Sequence, residues 1–75
     1  MKWIGDKRNK EILTEDGYYL QIRFVEDLES YWWATFLNGH QIASAVSEKE
    51  MKNSLSAAQK AAQRVMIKHL STESW

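Results

Sequence analysis

The stretch YWWATFLNGHQIASAV, residues 31–46, decides the fold. Two runs rich in aromatic and β-favouring residues flank Asn38-Gly39, a pair that accepts positive φ at both central positions of a type I′ turn and so marks a two-residue hairpin. With that loop Leu37 faces His40 and Phe36 faces Gln41. Regular pairing onward sets Thr35 against Ile42, Ala34 against Ala43, Trp33 against Ser44, Trp32 against Ala45 and Tyr31 against Val46. Cross-strand partners share a face. One face then holds Trp32, Ala34, Phe36, Ala43 and Ala45, and the other holds Tyr31, Trp33, Thr35, Leu37, Ile42 and Val46. Both are apolar, and the rest of the chain must dispose of both.

Upstream, YYLQIRFV at residues 18–25 alternates cleanly, with Leu20, Ile22 and Phe24 on one side and Tyr19, Gln21, Arg23 and Val25 on the other. The acidic run Glu26-Asp27-Leu28-Glu29-Ser30 reads as a five-residue loop. If Val25 faces Tyr31, Phe24 lies beside Trp32, Ile22 beside Ala34 and Leu20 beside Phe36. A one-residue slip would instead set Gln21 and Arg23 in that face, so the expected register buries Trp32 and turns Trp33 outward. Glu15-Asp16-Gly17 reads as a turn, residues 11–14 as a weak first strand, and residues 1–10 as a basic arm in which Trp3 and Ile4 can dock.

Downstream the period changes. Ser47-Glu48-Lys49-Glu50 has capping-box spacing and Ser54 is a second N-cap, so a helix starts near Glu48 or near Leu55. The spacing predicts a regular helix over residues 54–70, with a connection at 47–53 and a tail at 71–75. Leu55, Ala58, Ala62, Val65, Met66, His69 and Leu70 form one stripe, with Lys60, Arg64 and Lys68 opposite. Ala43 and Ala45 on the strand, and Ala58 and Ala62 on the helix, are small where helix and sheet must approach. The expected fold is α+β: one domain, an antiparallel three- to four-stranded β-meander with one C-terminal α-helix packed across one face. Its expected core is Leu20, Ile22, Phe24, Trp32, Ala34, Phe36, Ala43 and Ala45 with Leu55, Ala58, Ala62, Val65 and Met66.

The chain has no cysteine, which removes disulfides and thiolate metal sites and suits a reducing, cytoplasmic setting. No apolar run has the length of a signal peptide or membrane span. Its zero net charge is segregated. Residues 1–10 carry four basic groups against one acidic, residues 11–50 two against eight, and residues 51–75 four against one. His40 and His69 lie too far apart in this topology to hold a metal. No nucleophile elbow, Gly-rich phosphate loop or inward-facing carboxylate pair is present. The reading is therefore a protein that is not an enzyme and uses no cofactor.

What remains is a surface. With the helix on one face, the other carries Tyr19, Arg23, Tyr31, Trp33, Leu37 and Ile42, the composition of an interface centre. These six are the expected partner-binding residues, for a host protein or protein complex or for a second copy as a homodimer, unless Trp3 or Trp75 folds back over them. Nucleic acid is the alternative, through bases stacked on that face or phosphates on the Lys60, Arg64, Lys68 row. It is disfavoured because the two features lie on different sides of the molecule. The three strands and helix resemble the second half of a double-stranded RNA-binding domain. The family's lysine cluster at the helix start is reduced here to Lys60 in Ser54-Leu55-Ser56-Ala57-Ala58-Gln59-Lys60, and its first helix has no counterpart.

Trp33-Ala34, Asn38-Gly39 and Ile42-Ala43-Ser44, followed by Ser54-Leu55-Ser56-Ala57-Ala58-Gln59 and Ala61-Ala62, are similar to small phage and prophage accessory proteins of strand-hairpin-helix form. The resemblance covers residues 18–70. Some phage proteins of this construction, the anti-CRISPR proteins among them, block host defence complexes by binding their subunits. The resemblance implies a cytoplasmic, non-enzymatic binder, and carries over no individual residue.

Overall fold

A computed structural model describes residues 2–45 and 50–73. Five strands run β1 (Ile4–Gly5), β2 (Lys10–Leu13), β3 (Tyr18–Val25), β4 (Ser30–Leu37) and β5 (His40–Ser44), followed by α1 (Leu55–Glu73). The strands lie in sequence order in one sheet, each antiparallel to the next. This is the expected α+β meander with its helix across one face, extended by one strand. The basic arm is itself part of the sheet through Ile4–Gly5. Asp6 accepts backbone N–H bonds from Arg8 (2.8 Å) and Asn9 (2.7 Å), and the turn so formed pairs Ile4 with Glu11 and Gly5 with Lys10.

Asn38 (φ 50°) and Gly39 (φ 86°) form the two-residue turn, and Leu37–His40 and Phe36–Gln41 pair as expected. Beyond them a β-bulge intervenes. Thr35 pairs with Ala43 and Ala34 with Ser44, so Ile42 is the extra residue. The Ala45 N–H then donates to the Trp33 carbonyl at 3.0 Å.

The connection between β3 and β4 departs from expectation too. Glu26–Leu28 makes a 3-10 turn that Glu29 closes in the left-handed region (φ 48°), so the chain reverses in four residues and Val25 faces Ser30. Phe24 therefore pairs with Tyr31, Ile22 with Trp33 and Leu20 with Thr35. The expected register is wrong by one residue in β4. The shorter loop flips β4 relative to β3, and the bulge flips the rest of β5 back, so Leu20, Ile22, Ala43 and Ala45 keep their face while β4 turns over together with His40 and Gln41.

The core consequently contains Trp33 (9% exposed), not Trp32, together with Ile12, Tyr18, Leu20, Ile22, Ala45, Ala58, Ala62 and Met66; Ala34 is fully buried as expected, but on the side of the sheet away from α1. Thr35, fully buried, takes the place expected for Ala34 or Phe36 under the helix and donates its hydroxyl to the Ala62 carbonyl at 2.9 Å. A buried hydroxyl must find a partner, and an alanine-lined helix brings a backbone carbonyl within reach. Phe24, expected in the core, is half-buried beyond the reach of α1. Tyr31 lies against it at a ring separation of 5.0 Å, and the Arg8 guanidinium sits 4.6 Å over its ring. Trp3 packs against the core, as expected of it.

The Ser54 side chain accepts the Ala57 N–H at 3.1 Å, so α1 begins at the second of the two expected caps. The alternative capping box rests on residues 47–49, outside the described residues, as do Val46 and Trp75. Before the helix, Lys52 and Tyr31 exchange backbone hydrogen bonds, and Trp33 Nε1–H donates to the Glu50 carbonyl at 3.0 Å. The connection is thereby tied to β4.

Candidate functional site

The sheet has a second face, and among the described residues no helix lies on it. Its occupants follow from parity. Tyr19, Gln21, Arg23 and Val25 of β3 alternate with the buried Tyr18, Leu20 and Ile22; Trp32, Ala34 and Phe36 of β4 alternate with Trp33 and Thr35. From β2 and β1 come Glu11, Leu13 and Ile4, of which Leu13 is 71% and Ile4 58% exposed. Two large aliphatic groups that open to water, beside three aromatic rings on one sheet face, make a surface that solvent does not favour.

The centre is ordered by local chemistry. The Tyr19 and Phe36 rings pack at 5.8 Å, tilted by 40°, and the Tyr19 hydroxyl donates to Glu11 Oε2. Burial, then the hydrogen bond to Glu11, push the Tyr19 phenol up from its ordinary value; the nearby Arg23 acts in the opposite sense. Tyr19 is thus a neutral phenol at physiological pH, held upright by a carboxylate. Two residues along, the Gln21 amide oxygen, in the orientation that satisfies both groups, accepts from Arg23 Nε at 3.0 Å and Nη2 at 2.7 Å. The guanidinium is exposed but held by its neighbour, which lowers the entropy it would lose on meeting a partner. The face can bind a surface of apolar side chains with a carboxylate or carbonyl set to meet Arg23.

Of the six residues expected to bind a partner, Tyr19 and Arg23 lie here. Tyr31, Trp33, Leu37 and Ile42 do not: the β4 flip takes the first three to the helix side, and the bulge leaves Ile42 packed against the core. Trp32 and Phe36 were missed by the same slip. The only sequence signal that could have found them was the loop at residues 26–29, since a four-residue connection reverses β4 where a five-residue one does not.

The Lys60, Arg64, Lys68 row is exposed on α1, on the opposite side of the sheet from this face. It does not stand clear of the molecule, because Arg64 and Lys68 border a depression that reaches Ala43 and Ser44 of β5. His40 is exposed at the turn, and His69 Nδ1 meets the buried Tyr18 hydroxyl at 2.6 Å, joining α1 to β3. Among the described residues no three His, Cys, Asp or Glu side chains stand together as a metal site would require, and no helix is long and apolar enough to cross a membrane. Comparison with protein-family models, with curated proteins and with solved structures found no match for this chain.

Proposed function

We propose that this protein is a non-enzymatic binding module whose working surface is the open sheet face, with Tyr19, Arg23, Trp32 and Phe36 as its anchors. The observation that carries the reading is the face opposite α1, on which the half-buried rings of Tyr19, Trp32 and Phe36 lie beside the exposed Ile4 and Leu13. In line with the resemblance to phage accessory proteins, the partner is a subunit of a host protein complex, and the outcome of binding is inhibition or modulation of that complex, as with anti-CRISPR proteins. A second copy of the chain is the competing occupant of the same face. Stacked nucleic acid suits the face poorly: Glu11 stands beside Tyr19, and Arg23 already serves Gln21.

The test is affinity capture from host cells with the wild-type protein and with Trp32→Ser and Arg23→Glu, followed by calorimetric titration of the recovered partner. Each substitution is expected to cost about 2 kcal/mol or more of binding, as anchor residues do, with the circular dichroism melt retained. Binding that survives both substitutions would remove the face from consideration.

A further inference from the structure

We propose that the groove between α1 and β5 is a second docking site, which takes an acidic, extended segment of a partner protein with apolar side chains between its carboxylates. The groove exists because α1 lies over β3 and β4 and scarcely reaches β5. Where helix and edge strand diverge, both present methyl groups, Ala43 from β5 and Ala61 from α1, and neither fills the gap. Two cavities of about 500 and 340 Å3 share Ala43, Val65 and Lys68. A third, of about 210 Å3, shares Lys52, Ala61 and Arg64 with the larger. These open depressions adjoin one another along the helix through the side chains they share.

Its chemistry selects the occupant. The floor is aliphatic, formed by Ile42, Ala43, Ala61 and Val65, and among the described residues the rim carries Lys52, Lys60, Arg64 and Lys68 with the carboxylate of Glu50. Lys60, Arg64 and Lys68 stand at successive i, i+4 positions, so the cations repeat about every 6 Å along the axis. In an extended chain every second side chain repeats at about 6.6 Å. A strand with Asp or Glu at alternate positions matches that ladder and leaves its intervening side chains for the floor. A nucleic-acid backbone would satisfy the charges and leave the aliphatic floor unused. Of the aromatic rings that line it among the described residues, Trp33 is too deeply buried to stack a base and has its N–H committed to Glu50, and His69 is held by the Tyr18 hydroxyl. This site is independent of the open face, from which the sheet separates it.

The experiment is fluorescence anisotropy at low salt with three fluorescein-labelled probes: a short peptide alternating Glu and Leu, the same peptide with Ser for Leu, and a single-stranded oligonucleotide of equal charge. The Glu/Leu peptide is expected to bind saturably, with the Ser version at least about tenfold weaker. Arg64→Glu with Lys68→Glu should reduce Glu/Leu binding by a similar factor, since charge reversal converts attraction into repulsion. Both residues are exposed, and a cooperative melt of the double variant is the control for folding. In a nitrogen–proton correlation spectrum the shifts should centre on Ala43, Ala61 and Val65. Equal binding of the two peptides, preference for the oligonucleotide, or no saturable binding would each overturn the proposal. Shifts centred on Tyr19 and Phe36 would overturn it too while leaving the open-face reading intact.

Discussion

Thr35 decides which side of β4 is inside. Its neighbours offer two nearly equivalent faces, Trp32-Ala34-Phe36 and Trp33-Thr35-Leu37, each an aromatic, a small residue and a large apolar one, so hydrophobicity alone cannot choose. The difference is the hydroxyl, which reaches the Ala62 carbonyl, and the indole N–H of Trp33, which reaches Glu50. Both bonds lie on the same face and form only in the observed register. Thr35→Val keeps the volume and removes one donor, leaving the Ala62 carbonyl its helical partner; urea unfolding should show a loss of about 0.5–1.5 kcal/mol. Trp33→Ala, which opens a cavity in the core, should cost about 3–5 kcal/mol and in so small a domain can abolish folding. Trp32→Ala should cost less by about 2 kcal/mol or more, as a half-buried residue on an open face does. The reverse order would restore the register expected from the sequence. Such near-degeneracy is why β4 was illegible: the deciding atoms are two donors whose acceptors come from distant parts of the chain.

Among the elements, the glycine turns and the helix cap were legible, because their chemistry is local, whereas the β3–β4 connection, one residue shorter than expected, was not. Asn38-Gly39 and Ser54 act where the sequence placed them, and Gly17 takes positive φ (90°) in the turn between β2 and β3. What local chemistry does not reveal is that two turns touch. The Asn38 N–H donates to the Gly17 carbonyl at 3.1 Å, and a Cβ on Gly17 would stand 2.6 Å from Asn38 Oδ1, whereas one on Gly39 would meet open space. Gly39→Ala should therefore cost about 1 kcal/mol from its backbone conformation, and Gly17→Ala at least as much in the same melt, with the exposed Asn38 side chain displaced. The β1–β2 turn adds a pH dependence. Backbone hydrogen bonds from Asn9 and Arg8 hold the Asp6 carboxyl below its ordinary value. A depressed carboxylate stabilises the folded turn above the pKa of the unfolded chain, and that contribution disappears as pH falls through the folded pKa. On acidification the Ile4 and Gly5 resonances should shift with the Asp6 titration, while in Asp6→Asn, which keeps the side-chain acceptor, they should not. Neither β1 nor the bulge at Ile42 was legible: β1 is two residues long, and one inserted residue leaves no trace in an alternation whose faces are both apolar.

Two forces act between copies of the whole molecule, and salt separates them. With zero net charge the protein has little general repulsion to keep copies apart, and its charges are segregated, with Glu15, Asp16, Glu26, Asp27 and Glu29 in the loops at the ends of β3 and Lys52, Lys60, Arg64 and Lys68 along one flank of the helix. Attraction between such regions reaches about 10 Å at 0.1 M ionic strength and only about 3 Å at 1 M, so added salt removes most of it. Attraction through the open face follows the opposite rule, since burying Trp32, Phe36 and Leu13 gains from the displacement of water, and excluded salts strengthen it. Light scattering on the wild type should give a negative second virial coefficient at low salt that rises with sodium chloride but stays below zero. The double variant Trp32→Ser, Phe36→Ser should keep the low-salt attraction and become repulsive in high salt, with a cooperative melt throughout. If it scatters like the wild type at every salt concentration, the aromatic face contributes no attraction between copies of this protein.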